Sequence, residues 1–163
     1  MQGGAITCCS YSSTPTHPKH RPAQVVRLVS SSGDIYPVAG NGSCTVLGDG
    51  LPATAASITF GFTVAWDPAG GFWISETVNC VRRVDKLGII STVAGVCGVA
   101  GYLGDGGPAT AAVFNGIRGL ASDGRGGLFI VDTYNHWCAR GWVRGASSAS
   151  NCFPQPQHPP NGY

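Results

Sequence analysis

The chain contains one stretch twice. Gly48-Asp49-Gly50-Leu51-Pro52-Ala53-Thr54-Ala55-Ala56 recurs as Gly104-Asp105-Gly106-Gly107-Pro108-Ala109-Thr110-Ala111-Ala112, a spacing of 56 residues (104 − 48 = 56). The spacing holds without a gap as far as Asn79 and Asn135. A duplication that long and in register is an architectural signal, because a repeated unit buries its apolar face against its neighbours. It constrains the fold far more than the chemistry.

The segments between the copies read as short strands. Phe62-Thr63-Val64-Ala65-Trp66 alternates large and small side chains, and Asp67-Pro68-Ala69-Gly70-Gly71 supplies the fixed φ and positive φ of a tight turn. Phe72-Trp73-Ile74-Ser75 follows as a second strand, Val81-Arg82-Arg83-Val84 as a third and Ile89 to Ala94 as a fourth. The third does not alternate cleanly and leans on its neighbours. Four short strands joined by tight turns predict one antiparallel sheet. The cycle restarts with Gly119-Leu120-Ala121-Ser122 and Leu128-Phe129-Ile130-Val131, and the correspondence ends after Asn135, where no fourth strand is expected. Upstream, Val25 to Val29 and Ile35 to Gly40 read as the last two strands of a preceding unit. Pro37 lacks a ladder donor, which places its strand at an edge or a bulge. Pro52 to Ala56 and Pro108 to Ala112 each fit a single helical turn.

Composition agrees with such a turn-rich, all-β chain. There are 25 glycines and 11 prolines in 163 residues, and 43% of residues are hydrophobic, enough for a packed core. That length fits one domain or part of one. Residues 1–24 and 141–163 are polar and proline-broken and are expected to be disordered, leaving 25–140 as the repeat region.

Charge and hydropathy exclude several classes. A net charge of +2, with no basic stripe beyond Arg82-Arg83 and Lys86, disfavours nucleic acid as a partner. No apolar run approaches the ~18 residues of a membrane span, and the first residues lack the basic and apolar regions of a signal peptide. The reading is a soluble chain of unknown compartment. Seven cysteines form no C-x-x-C unit, and Cys44 and Cys97 precede the two Gly-Asp-Gly motifs in equivalent loops, where small loop residues are the plain reading. A disulfide framework would need an oxidising compartment.

A four-stranded unit of this period is the signature of a β-propeller blade. The residues resemble the NHL-repeat propellers: Val64-Ala65-Trp66-Asp67, then Phe72 to Thr77, then Asn79-Cys80-Val81, and again Gly119 to Asp123, Leu128 to Thr133 and Asn135-His136-Trp137. The likeness covers roughly Val25 to Arg140. It departs from the family where neither naming triplet is intact and where Thr63 replaces the usual glycine. The resemblance implies one full blade flanked by two partial ones, whereas propellers close with 4–8 blades. The expectation is therefore an incomplete NHL-type propeller.

No residue pattern carries a catalytic site, a metal site or a cofactor. Asp49 and Asp105 lack calcium-loop spacing and read as turn residues. Cys8, Cys9, His17 and His20 lack zinc spacing. His136 and Cys138, on one face if both lie in a strand, have no third group to support a catalytic pair. Glu76 and Asp132 are expected to hold the turns that follow them through backbone amides, and with Asn79 and Asn135 they are the loop candidates for binding. The functional expectation is a non-catalytic binding or scaffold module, engaging a protein, further blades or copies of itself. The alternatives are part of a metal-dependent propeller lyase or hydrolase, or a truncated product without independent function.

Overall fold

The structure is a computed structural model. It describes residues 24–43, 48–142 and 150–151. Ten strands follow in order: β1 (Val26–Val29), β2 (Ile35–Ala39), β3 (Gly61–Trp66), β4 (Gly71–Glu76), β5 (Cys80–Asp85), β6 (Ile90–Ala94), β7 (Ile117–Ser122), β8 (Gly127–Asp132), β9 (Trp137–Trp142) and β10 (Ser150–Asn151). They make three antiparallel sheets, ordered β1-β2, β3-β4-β5-β6 and β10-β9-β8-β7, and none closes into a barrel. The expected all-β, four-stranded, incomplete architecture is what the chain adopts.

The duplication survives as identical register. Gly61 pairs with Glu76 and Thr63 with Ser75 across one bulge; Ile117 pairs with Asp132 and Gly119 with Val131 across the same bulge. A bulge repeated at one position sets the twist of each sheet alike. The first sheet repeats too, at a different spacing. Val26 pairs with Ala39 and Val29 with Ile35, as Val81 pairs with Ala94 and Val84 with Ile90, so β1-β2 maps onto β5-β6 at 55 residues (81 − 26 = 55). Pro37 lies in β2, an edge strand whose ladder with β1 bulges beside it.

The sheets stack face to face through two cores. Ile74, Val84 and Ile90 meet Ala39, Ala53, Ala56 and Ile58 on one side of the central sheet. Trp73, Val81 and Ala65 meet Phe114, Ile117, Leu128 and Ile130 on the other. The repeated stretch is thus more than a connector. Its alanines Ala53, Ala56 and Ala112 are buried between sheets, where a larger side chain would force them apart. Gly104 has φ +111, and a Cβ there would lie 2.5 Å from the Cα of Ala112; Gly48 meets Ala56 in the same way. The first and last residues of each copy close its loop by contact. The expected helical turn is a three-residue 3-10 turn at Ala109–Ala111 in one copy. In the other, the amides of Ala55 and Ala56 bond to the carbonyl of Pro52 at 2.8 and 3.2 Å.

Two boundaries differ from the sequence reading. The repeat does not stop at Arg140: β9 pairs with β8 through Gly127–Trp142, and Ser150–Asn151 adds a fourth strand within the segment expected to be disordered. Edge hydrogen bonding offered by β8 and β9 outweighs the weak local preference of those residues. The correspondence after Asn135 is shifted rather than lost. The turn between β4 and β5 has three residues, Thr77 to Asn79, and that between β8 and β9 has four, Thr133 to His136. Asn79 (φ 64) and His136 (φ 58) are therefore the matching left-handed residues that start the third strand. Residues 1–23, with the Cys8, Cys9, His17 and His20 group, lie outside the described residues, as do Cys44 and most of the 141–163 segment.

Candidate functional site

Glu76 and Asp132 end the second strand of their sheets, and both are buried. Each reaches backward along the chain. Glu76 Oε2 accepts hydrogen bonds from the Thr59 amide at 3.0 Å and the Thr59 hydroxyl at 2.6 Å. Asp132 Oδ1 accepts from the Asn115 amide at 2.7 Å. Thr59 and Asn115 each stand 17 residues upstream of their acid. Both carboxylates therefore hold the chain leading into the first strand of their own sheet, and Asp132 also bonds Asn135 in the turn that follows it, through a side chain rather than a backbone amide. A carboxylate taking backbone N–H bonds in this way is strongly held.

The asparagines complete the joints. Asn79 Oδ1 accepts from the Gly116 amide at 2.8 Å, bracing the central sheet against the approach to β7. Asn135 Nδ2 donates to Asp132 Oδ2 at 2.7 Å and to the Gly101 carbonyl at 2.6 Å. Burial pushes the Asp132 carboxyl above the usual range, and the Asn115 amide and Asn135 side chain offset part of that. All four candidates are thus spent on internal bonds at the seams between units.

The sequence reading missed the largest polar cluster. Arg82 lies fully buried in β5. Its Nε and Nη2 donate to Asp49 Oδ1 at 3.0 and 2.7 Å, and its Nη1 donates to the Ser57 carbonyl at 2.8 Å. Nη1 also faces Glu76 Oε1 at 3.4 Å. Asp49 Oδ2 takes the Thr92 amide at 2.9 Å. Burial pushes the Asp49 carboxyl up, but the Thr92 bonds and the Arg82 charge outweigh it, so Asp49 sits below the usual carboxylate range. Asp49 is a clamp between connector and sheet as well as a turn residue. The available signal was two arginines inside an otherwise apolar strand. Beside them, Arg83 Nε donates to the buried Asp67 at 2.6 Å.

The second copy does not repeat the clamp. The β8–β9 register places Ala139 opposite Ile130, where Arg82 stands opposite Ile74. Asp105 forms no hydrogen bond or ion pair among the described residues. The weighed His136–Cys138 pair loses its premise, since His136 sits in the turn before β9 rather than in a strand.

Cys80 and Cys97 form a disulfide across 17 residues, tying the start of β5 to the connector after β6. Cys97 is therefore not the free small loop residue of the plain reading. Among the described residues, no group of three or more His, Cys, Asp or Glu side chains could hold a metal ion. No helix among them is long and apolar enough to cross a membrane.

No protein-family model and no curated protein matches the chain. Among solved structures, the chain is similar to a structural genomics protein of unknown function from Bacteroides thetaiotaomicron VPI-5482. The identity is 28% and the TM-score 0.64, over 72% of this chain and 30% of that one. The chain thus spans about 30% of the length of the structure it matches.

Proposed function

We propose that the chain is part of an NHL-type β-propeller and acts as a non-catalytic binding or scaffold module that seats a further repeat unit or protein against its first sheet. One contrast supports this reading. Val84 and Ile90 are 2% and 0% exposed because the first sheet and its connector cover them. Their counterparts in the first sheet, Val29 and Ile35, are 62% and 52% exposed. Bare apolar sheet faces of this kind mark interaction sites. Covering them at about 25 cal/mol per Å² favours association. The NHL assignment rests on the strand-end acids, the asparagines three residues after them and the repeated connector, which recur at the 56-residue spacing of the sequence. The internal bonding of Glu76, Asp132, Asn79 and Asn135 fits a structural rather than catalytic role for those residues.

Size-exclusion chromatography with light scattering tests the reading. The expected result is a mass above 16.7 kDa that rises with concentration. A compact monomer at every concentration would count against it, and metal-dependent turnover by the purified chain would overturn the non-catalytic part.

A further inference from the structure

Among the described residues, β1 has one hydrogen-bonded neighbour, whereas its counterpart β5 has two. A groove of about 270 Å³ is lined by Gln24, Val25 and Val26 at the start of β1 and by Ile58, Val64 and Ile74 of the central sheet and its connector. We propose that this groove is a strand-addition site. Its occupant is a β-hairpin of this chain's own repeat type, whose second strand pairs antiparallel with β1. The proposal deepens the binding-module reading and rests on it.

The chain itself supplies the template. At the next junction, the counterparts of lining residues include Val81, Phe114, Leu120 and Ile130, and these pack in one cluster with Ala65 and Trp73. Ala65 and Trp73 are paired residues of the β3–β4 hairpin. Among the described residues, no corresponding hairpin stands ahead of β1. The pairing follows from the 55-residue equivalence. Phe72 to Glu76 pair in turn with Val84, Arg83, Arg82, Val81 and Cys80. An incoming strand of that kind pairs with Val29, Leu28, Arg27, Val26 and Val25. Its aromatic residue stands opposite Leu28 and packs into the groove, as Trp73 does at the next junction.

Charge gives the occupant a second feature. Arg27 is the counterpart of Arg82, since each follows the bulge in its ladder. Arg82 is buried beside Glu76, the last residue of β4. Arg27 is exposed, and its side chain forms no hydrogen bond or ion pair among the described residues. The occupant therefore carries a carboxylate three positions after its aromatic residue, as Glu76 follows Trp73. Edge pairing supplies affinity through the backbone, and the aromatic and the acid supply selectivity.

The test uses the full chain and a synthetic peptide with the sequence of residues 61–76, cyclised through an Asn-Gly link so that ordering the hairpin does not mask binding. Binding is followed by anisotropy of the labelled peptide, and the seat by hydrogen exchange. The expected result is saturable one-to-one binding that slows exchange at Val26–Val29. Val64→Asp, a change at a half-exposed position, is expected to abolish it. Arg27→Ala in the chain and Glu76→Gln in the peptide are each expected to weaken it about tenfold, and the two together no further, because a charge-assisted pair is lost once. An intact Cys80–Cys97 bond and unchanged far-ultraviolet dichroism report that the variants fold. A flat titration, or binding indifferent to all three substitutions, overturns the proposal. So does slow exchange of the β1 edge before peptide is added, which would show the chain's own residues or a second copy already there. If light scattering shows association while the titration stays flat, the binding-module reading stands and the groove assignment falls.

Discussion

Asp49 and Arg82 stand 33 residues apart in the chain and meet through two hydrogen bonds, at 2.7 and 3.0 Å, on one carboxylate oxygen. The Arg82 side chain is 1% exposed and that of Asp49 50%. The pair locks the connector to the face of the central sheet. The two partners are unequal in what their loss would leave behind. Arg82→Ala leaves Glu76 buried without its cation and the Ser57 carbonyl without its donor, so about 3–5 kcal/mol of stability should go. Asp49→Asn keeps one acceptor and lies half in water, and should cost about 1 kcal/mol. Urea unfolding of the two variants measures the difference. Equal losses would mean that Arg82 is not held as a buried charge.

The same pair sets part of the acid limb. Asp49 has a lowered pKa in the fold, so its contribution is full above the unfolded value of about 3.9 and is lost as pH falls through the lowered one. Asp132 runs the other way. Its folded pKa is raised, so its contribution is present below the unfolded value and is lost as pH rises through the folded one. Asp49→Asn should therefore flatten the rise of stability with pH below about 4. Asp132→Asn should steepen the net rise just above it, by removing an opposing slope. Unfolding free energies measured from pH 2 to pH 7, at about unit intervals, would show both changes.

The disulfide closes a loop over 17 residues. Chain-entropy reasoning gives such a crosslink about 3 kcal/mol. Reduction, or the double change Cys80→Ala with Cys97→Ala, should lower the urea midpoint accordingly. Thiol titration of the unreduced, unfolded chain should find at most five free cysteines of the seven (7 − 2 = 5). Seven titratable thiols would contradict the pairing.

Two glycines separate backbone strain from crowding. Gly88 has φ +78 with nothing within 4 Å of a Cβ, so Gly88→Ala should cost about 1 kcal/mol from the left-handed backbone alone. Gly95 has φ +83, and its Cβ would lie 2.4 Å from the Asn79 carbonyl oxygen and 3.0 Å from the Phe114 ring. Gly95→Ala should cost about 3 kcal/mol or more, since neither backbone nor core can yield cheaply. Thermal unfolding of the two variants side by side makes the comparison.

Particular residues show what was legible in the sequence and what was not. The Phe62–Trp66 and Phe72–Ser75 runs were readable because turn residues bound them and each presents its own side-chain pattern. Val81 to Val84 resisted, because β5 is buried on both faces: Val81 packs toward the third sheet, Val84 toward the first, and Arg82 into its ion cluster. Period-2 alternation needs a wet face. The β9 strand was lost to one extra turn residue, which shifts a fixed 56-residue comparison out of step. The clamp and the disulfide were invisible for another reason. Asp49 with Arg82, and Cys80 with Cys97, are brought together only by the stacking of connector on sheet, and spacing along the chain does not report that. The candidates Glu76, Asn79, Asp132 and Asn135 all make internal bonds, which reach segments 17 to 37 residues away as well as the turn after Asp132, and such long reaches leave no mark in local spacing.

Among the described residues, the first sheet is an open version of the second: β1 stands where β5 stands, without a strand on its other side. Hydrogen exchange of the chain alone tests this most directly. The account predicts fast exchange of the open-edge amides of Val26–Val29 and slow exchange across Cys80–Asp85, which is bonded on both sides. Equally slow exchange in the two strands would contradict it.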